Sequence, residues 1–283
     1  MAKKTILVTG STDGIGKAAA RILAGQGHRV LLHGRNREKG RRVLEELEEE
    51  TGSGNLDLVI ADLAVQEQVR DLAGEIRDAY ERLDVLVNNA GVFMPEREVA
   101  YGDVEMTFAV NYLAGFLLTH ELLPLLQASA PGRIVCVASI THRSVRDLDQ
   151  KNLPGFPDYD GYEAYAVSKL GVVAFTARLA RTLEGKGVTA NCLHPGAIDT
   201  KLLRAYWGGR GGGAPPEKGA EVVVHLAVSP GAGTMNGGYF EETRWTDPSP
   251  LARDPGVQDF FWQMGLDLAG VEWGVVRGKA YAG

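Results

Sequence analysis

Tyr165-Ala166-Val167-Ser168-Lys169 lies inside a stretch with helical patterning, and a spacing of four places the phenol and the ammonium on one helix face. A free tyrosine ionises near pH ~10, too high for a base at neutral pH. An ammonium beside it favours the phenolate and lowers that value, which would let Tyr165 exchange a proton with a bound oxygen. Ser139 closes an apolar, strand-like run and could hydrogen-bond the same oxygen. Asn111 falls in a long helical stretch and could hold a water that links Lys169 to solvent. Taken singly, each has an ordinary explanation: Tyr and Lys four apart recur in many helices, and a serine often ends a strand. Their weight comes from the company they keep.

That company begins with Gly10-Ser11-Thr12-Asp13-Gly14-Ile15-Gly16, which joins the first strand-like run to the first helix. Glycines allow positive φ and let a pyrophosphate approach the backbone, and the amides and dipole of a helix start hold an anion. Alone, such a loop is a weak signal, since it also serves as a plain turn. The second strand ends in Leu32-His33-Gly34-Arg35-Asn36-Arg37. A site that prefers NAD places Asp or Glu here to bind the ribose hydroxyls. Gly34 followed by Arg35 removes that carboxylate and offers a guanidinium to a 2′-phosphate, which points to NADP(H). Arg37 reads more simply as a solvated residue entering a charged helix. Asp62-Leu63 and Asn88-Asn89-Ala90-Gly91 follow the third and fourth strands, where an adenine and a ribose would lie. Each is also consistent with a helix cap or a turn.

The elements that must position these residues alternate along the chain. Strands are expected at 4–9, 29–33, 56–60, 84–87, 133–138 and 188–193, with a last one near 238–240. Helices are expected near 15–25, 37–50, 65–80, 103–128, 162–183 and 216–228. The strands are nearly continuous apolar runs, as strands buried on both faces should be. The expected fold class is therefore α/β: a single-domain, doubly wound parallel sheet of about seven strands, Rossmann-type, binding its ligand beyond the carboxyl ends of the strands. Asp254 and Pro255 read as the start of one more helix, with Phe260, Phe261, Met264 and Leu268 on its apolar side and Gly270 at its end. Val271–Gly283 shows no period.

Composition narrows the class further. A formal charge of −6 argues against nucleic acid as a partner. Cys136 and Cys192 sit in apolar runs and read as buried thiols of a reduced compartment. Met1-Ala2-Lys3-Lys4 leads directly into Thr5-Ile6-Leu7-Val8-Thr9 with no signal peptide, and no apolar stretch is read as approaching the roughly 20 residues of a membrane helix. A cytoplasmic protein without membrane contact is the expectation, and no metal site is expected.

With these residues in this order, the sequence resembles the classical short-chain dehydrogenase/reductase family over about residues 5–240. The matching pieces are Thr9–Gly16, Asp62-Leu63, Asn88–Gly91, Asn111, Ser139, Tyr165-x-x-x-Lys169, and Pro195-Gly196 with Thr200 after it. The resemblance implies a catalytic tetrad of Asn111, Ser139, Tyr165 and Lys169, with Lys169 also touching the nicotinamide ribose. It implies that Pro195, Gly196, Ile198 and Thr200 line the nicotinamide, and that the reaction exchanges a hydride with a small carbonyl or alcohol. It further implies a homodimer or homotetramer built on helices 103–128 and 162–183. Within the family the chain is most similar to retinol-dehydrogenase-like members, which share Arg35 in its His-x-Arg setting. They also share an enlarged segment between Ser139 and Tyr165, here 140–164 with Asp147-Leu148-Asp149 and Asp158-Tyr159-Asp160-Gly161-Tyr162. It departs from the membrane-bound retinoid enzymes in having no N-terminal hydrophobic anchor, which speaks against a retinoid substrate. The Gly-rich 208–213 run, within 201–216, falls where family members carry a mobile substrate loop. Two other readings stay open: a non-catalytic NADP(H) sensor on the same fold, and a reductase of carbon–carbon double bonds.

Overall fold

The computed structural model describes residues 2–100, 102–148 and 159–273. β1 (Thr5–Val8), α1 (Gly14–Gly25), β2 (Arg29–Gly34), α2 (Arg37–Thr51), β3 (Leu56–Ile60), α3 (Gln66–Ala79) and β4 (Val85–Asn88) alternate as expected. There follow α4 (Met106–Phe108), a π-helical turn (Ala109–Leu113), α5 (Ala114–Ala128), β5 (Gly132–Val137) and a 3₁₀ turn (Ile140–Ser144). The chain continues through α6 (Gly161–Thr182), β6 (Val188–His194), α7 (Lys201–Tyr206), α8 (Pro216–Val228), β7 (Tyr239–Glu241), β8 (Arg244–Thr246), α9 (Pro250–Arg253) and α10 (Pro255–Ala269).

The strands form one sheet in the order β3-β2-β1-β4-β5-β6-β7-β8. All neighbours are parallel except β7 and β8. The order reverses between β1 and β4, and that switch point opens a crevice beyond the strand ends. Eight strands replace the expected seven because a tight turn returns the chain along the edge of β7, too short a piece to leave a pattern. Alternate strand residues serve opposite faces. Leu7, Leu31 and Leu86 pack with α3, α5, α6 and α10, whereas Ile6, Val8, Val30 and Leu32 pack with α1, α2 and α8.

α10 begins and ends as its sequence says. Asp254 caps it by accepting from the Val257 amide, Pro255 opens it, and Gly270 closes it in the left-handed conformation. It lies across α6, with Phe261 against Tyr112 and Trp262 against Phe116 and Phe175. Gly265 allows this approach, since a Cβ there would lie 2.6 Å from the Phe116 ring. α6 is consequently buried nearly all round, under α10 on the side away from the sheet. The expected subunit contact on the two long helices finds that side of α6 covered from within the chain. Trp273 extends the cluster onto Trp262, with ring centroids 4.6 Å apart, so Val271–Trp273 is a packed segment. Residues 274–283, Tyr281 among them, lie outside the described residues, as do Asp149 and Asp158.

Candidate active site

The end of β1 makes the floor of the site. Thr9 Oγ1 donates to the Val87 carbonyl and accepts from the amides of Asn89 and Ala90, at 2.9 and 3.0 Å, which binds the first strand end to the fourth. Gly10 then turns at φ +65, where a Cβ would meet Ala90 Cα at 2.9 Å. Gly16 sits so close to the Gly10 carbonyl and the Asn89 amide that a Cβ would lie 2.5 Å from each. Asp13 caps α1 through the Gly14 amide, and Lys39 and Lys201 reach its carboxylate at 2.8 and 2.9 Å. Burial opposes its ionisation, but the two ammonium groups win and hold it at about 2. The only carboxylate of the loop is thereby neutralised.

His33, which composition alone did not single out, organises this end. It is 3% exposed in β2, and its Nδ1 accepts from the Gly10 amide at 3.1 Å while Nε2 faces the Ala61 carbonyl at 3.2 Å. A backbone amide only donates and a carbonyl only accepts, so the neutral ring carries its proton on Nε2. Burial pushes its pKa down to about 4. The signal available in the sequence was a polar residue in a strand buried on both faces.

At the other end, Asp160 caps α6 by accepting from the amides of Tyr162 and Glu163. One turn in, Tyr165 is 7% exposed and Lys169 3%. Lys169 Nζ donates to the Val137 carbonyl at 2.9 Å and stands 5.6 Å from the Tyr165 ring centre. Burial lowers Lys169 to about 8. Burial raises the pKa of Tyr165, and the Ser139 side chain offsets only part of that. Among the protein's own groups, desolvation outweighs the hydrogen bond to Ser139, so the phenol stays protonated.

Asn111 falls in the π-helical turn, where one extra residue re-aims the side chain. Its Oδ1 accepts from the Val92 amide at 2.7 Å, and Nδ2 donates to the Val92 carbonyl and to Ser168 Oγ, both at 3.0 Å. The amide is thus spent on the chain itself, which leaves little capacity for the expected water. Ser11 is likewise structural: fully buried, it exchanges hydrogen bonds with the His33 backbone. Apart from Thr9, Arg37 and Asn88, which lie outside it, the other motif residues named from the sequence, from Gly10 and Arg35 through Ser139, Tyr165 and Lys169 to Pro195, Gly196, Ile198 and Thr200, line one cavity of about 530 Å³.

The part of the cavity beside Tyr165 is aromatic. Tyr206, on α7, lies 5.5 Å from Tyr165, 5.2 Å from Phe93 and 4.9 Å from Tyr162, ring centre to ring centre. α7 buries none of its residues, although the expected substrate loop is helical over Lys201–Tyr206. Its far end is pinned where Ala214 exchanges backbone hydrogen bonds with Ala197 and Asp199, 2.8 Å each.

Human retinol dehydrogenase 13 is 36% identical over 289 residues, covering 97% of this chain and 87% of its own. Mouse polyprenol dehydrogenase is 36% identical over 293 residues, covering 98% and 87%. The crystal structure of a short chain dehydrogenase from Escherichia coli CFT073, complexed with NADPH, matches with a TM-score of 0.71 at 28% identity, over 86% of this chain and 98% of that one. These findings overturn the expected cytoplasmic address. It rested on the absence of a long apolar stretch, yet the 23-residue run Met106–Ala128 is long and apolar enough to cross a membrane, even though most of it is buried in this fold. With retinol dehydrogenases among the relatives, the reading of a cytoplasmic protein without membrane contact does not stand. The profile of the short chain dehydrogenase family matches residues 4–209, and this chain belongs to that family of oxidoreductases.

Proposed function

We propose that this protein is an NADP(H)-dependent oxidoreductase that interconverts a carbonyl and an alcohol, with residues 1–283 forming a single dinucleotide-binding catalytic domain. The observation that carries the reading is the convergence of Tyr165, Lys169 and Ser139 on the same cavity that the glycine loop and Arg35 enter from the other end. The residues fit a dinucleotide. The start of α1 faces the cavity, its Asp13 is neutralised, and no carboxylate stands at the end of β2. When bound, the nicotinamide supplies or accepts the hydride. Tyr165, held protonated, donates to the oxygen that gains charge, and Ser139 steadies that oxygen by a hydrogen bond. Lys169, at about 8, is still largely cationic at neutral pH and stabilises negative charge beside it.

The aromatic wall of Phe93, Tyr162 and Tyr206 suits an apolar substrate, and the relatives named retinol and polyprenol dehydrogenases agree with an apolar alcohol or aldehyde. NADPH oxidation measured against a panel of aldehydes, ketones and quinones tests the reading. Turnover with apolar aldehydes, at least about tenfold better with NADPH than with NADH, is the expected result. Stoichiometric NADPH binding with no turnover across the panel would replace it with the sensor reading.

A further inference from the structure

The 3₁₀ turn Ile140–Ser144, directly after Ser139, is held from the C-terminal side of the chain by two successive residues. Arg143 donates to Glu241 Oε1 at 3.0 Å and to the Asp247 carbonyl. His142 is fully buried, and both of its ring nitrogens are engaged. Nδ1 stands 2.7 Å from the Ser139 carbonyl, and Nε2 accepts from the Ser249 amide at 3.1 Å. The carbonyl can only accept and the amide can only donate, so the neutral ring carries its proton on Nδ1. The ring lies edge-on to Tyr239, with centres 4.8 Å apart, which fixes its plane. Ser249 is itself buried and caps α9 through the Ala252 amide.

We propose that His142 is a positioning residue for the reaction: it locks the Ser139 backbone to the segment that begins α9, so that the Ser139 hydroxyl faces Tyr165 in one orientation. This rests on the reading of Ser139 and Tyr165 given above. It also gives the segment after β7 a part in catalysis, although none of its described residues lines the cavity. A hydrogen bond to the carbonyl of residue 139 restrains the peptide from which the hydroxyl projects, and a small misplacement of a catalytic group costs rate more than affinity. Protonation of His142 would turn Nε2 into a donor facing the Ser249 donor and break the lock. Arg143, Glu241, His194 and Tyr239 are the charged and titratable groups that surround it; Arg143 and Glu241 offset one another as an ion pair.

The test compares His142→Phe, which keeps a ring beside Tyr239 and removes both hydrogen bonds, with His142→Asn, which returns an amide donor toward Ser139. With saturating NADPH and an accepted aldehyde, kcat in His142→Phe should fall about tenfold while NADPH Kd stays within about twofold, and His142→Asn should recover part of the loss. The wild-type kcat should also fall on the acid side as His142 protonates, and His142→Asn should lack that limb. The inference is overturned if His142→Phe keeps more than about half of the wild-type kcat, or if kcat and NADPH affinity fall together. Tyr165→Phe, measured alongside, separates the two claims. An inactive Tyr165→Phe beside an unaffected His142→Phe overturns only the role of His142, whereas an active Tyr165→Phe overturns both. Should His142→Phe fail to fold, the acid limb decides, and identical profiles for wild type and His142→Asn overturn the proposal.

Discussion

A side chain at Gly34 would begin 2.6 Å from Thr12 Cγ2 and 3.2 Å from Thr12 Oγ1. The end of β2 proposed to select the cofactor and the glycine loop proposed to hold its pyrophosphate are therefore packed against each other through a missing Cβ. Gly34→Asp, the substitution that would invite NADH, collides with Thr12 unless Thr12 is trimmed. Arg35→Leu alone should cost NADPH binding about 1.5–3 kcal/mol, or about ten- to a hundredfold, through lost charge-assisted hydrogen bonds. Gly34→Asp with Arg35→Leu should weaken both cofactors, and adding Thr12→Ala should restore NADH alone. Catalytic efficiencies with the two cofactors check this; an unchanged ratio in Arg35→Leu would remove Arg35 from the site.

His33 makes stability sensitive to acid. Its pKa is about 4 in the native protein against 6.5 ordinarily, so between those values the unfolded chain binds a proton that the native one refuses. Stability from this group is thus complete above 6.5 and falls as pH drops toward 4, by about 3 kcal/mol across the whole window. His28, His142 and His194 are lowered too, by burial first, and add to the same trend. Denaturant unfolding of wild type and His33→Asn through this range isolates the contribution of His33. The variant should show the shallower pH dependence, and equal slopes would contradict the wiring of His33 to Gly10 and Ala61.

Much of this arrangement was legible in the residues. β1 to β7 fall within about a residue of their apolar runs because strands buried on both faces leave little freedom in register. Tyr165 and Lys169 share one helix face and one cavity, as their spacing said, because helical spacing is a geometric constant. What escaped notice depends on contacts between distant parts. The π-helical turn at Asn111 has no sequence signature, and the amide that looked free for water is consumed by Val92 and Ser168. Ser11 looked like a phosphate ligand until its hydroxyl met the His33 backbone. That burial raises the Tyr165 phenol depends on contacts from distant segments and was likewise not legible. The helix over 103–128 is legible in the residues; what went unread is that its Met106–Ala128 part is long and apolar enough to cross a membrane.

The central claim is that Tyr165 donates the proton, and Tyr165→Phe tests it most directly. The substitution keeps the ring and its contacts with Phe93 and Tyr206, and removes only the hydroxyl. The glycine loop and Arg35 lie at the other end of the cavity, so NADPH should bind with nearly wild-type affinity. In the oxidative direction the wild-type rate should rise with pH, because burial raises the phenol and only its ionised form accepts a proton. The decisive measurement is the single-turnover rate of NADPH oxidation by Tyr165→Phe with saturating aldehyde. A general acid contributes typically about 10²–10⁴-fold, so a fall of at least about a hundredfold with NADPH still bound is the predicted result. A variant that turns over at more than about a tenth of the wild-type rate would contradict it.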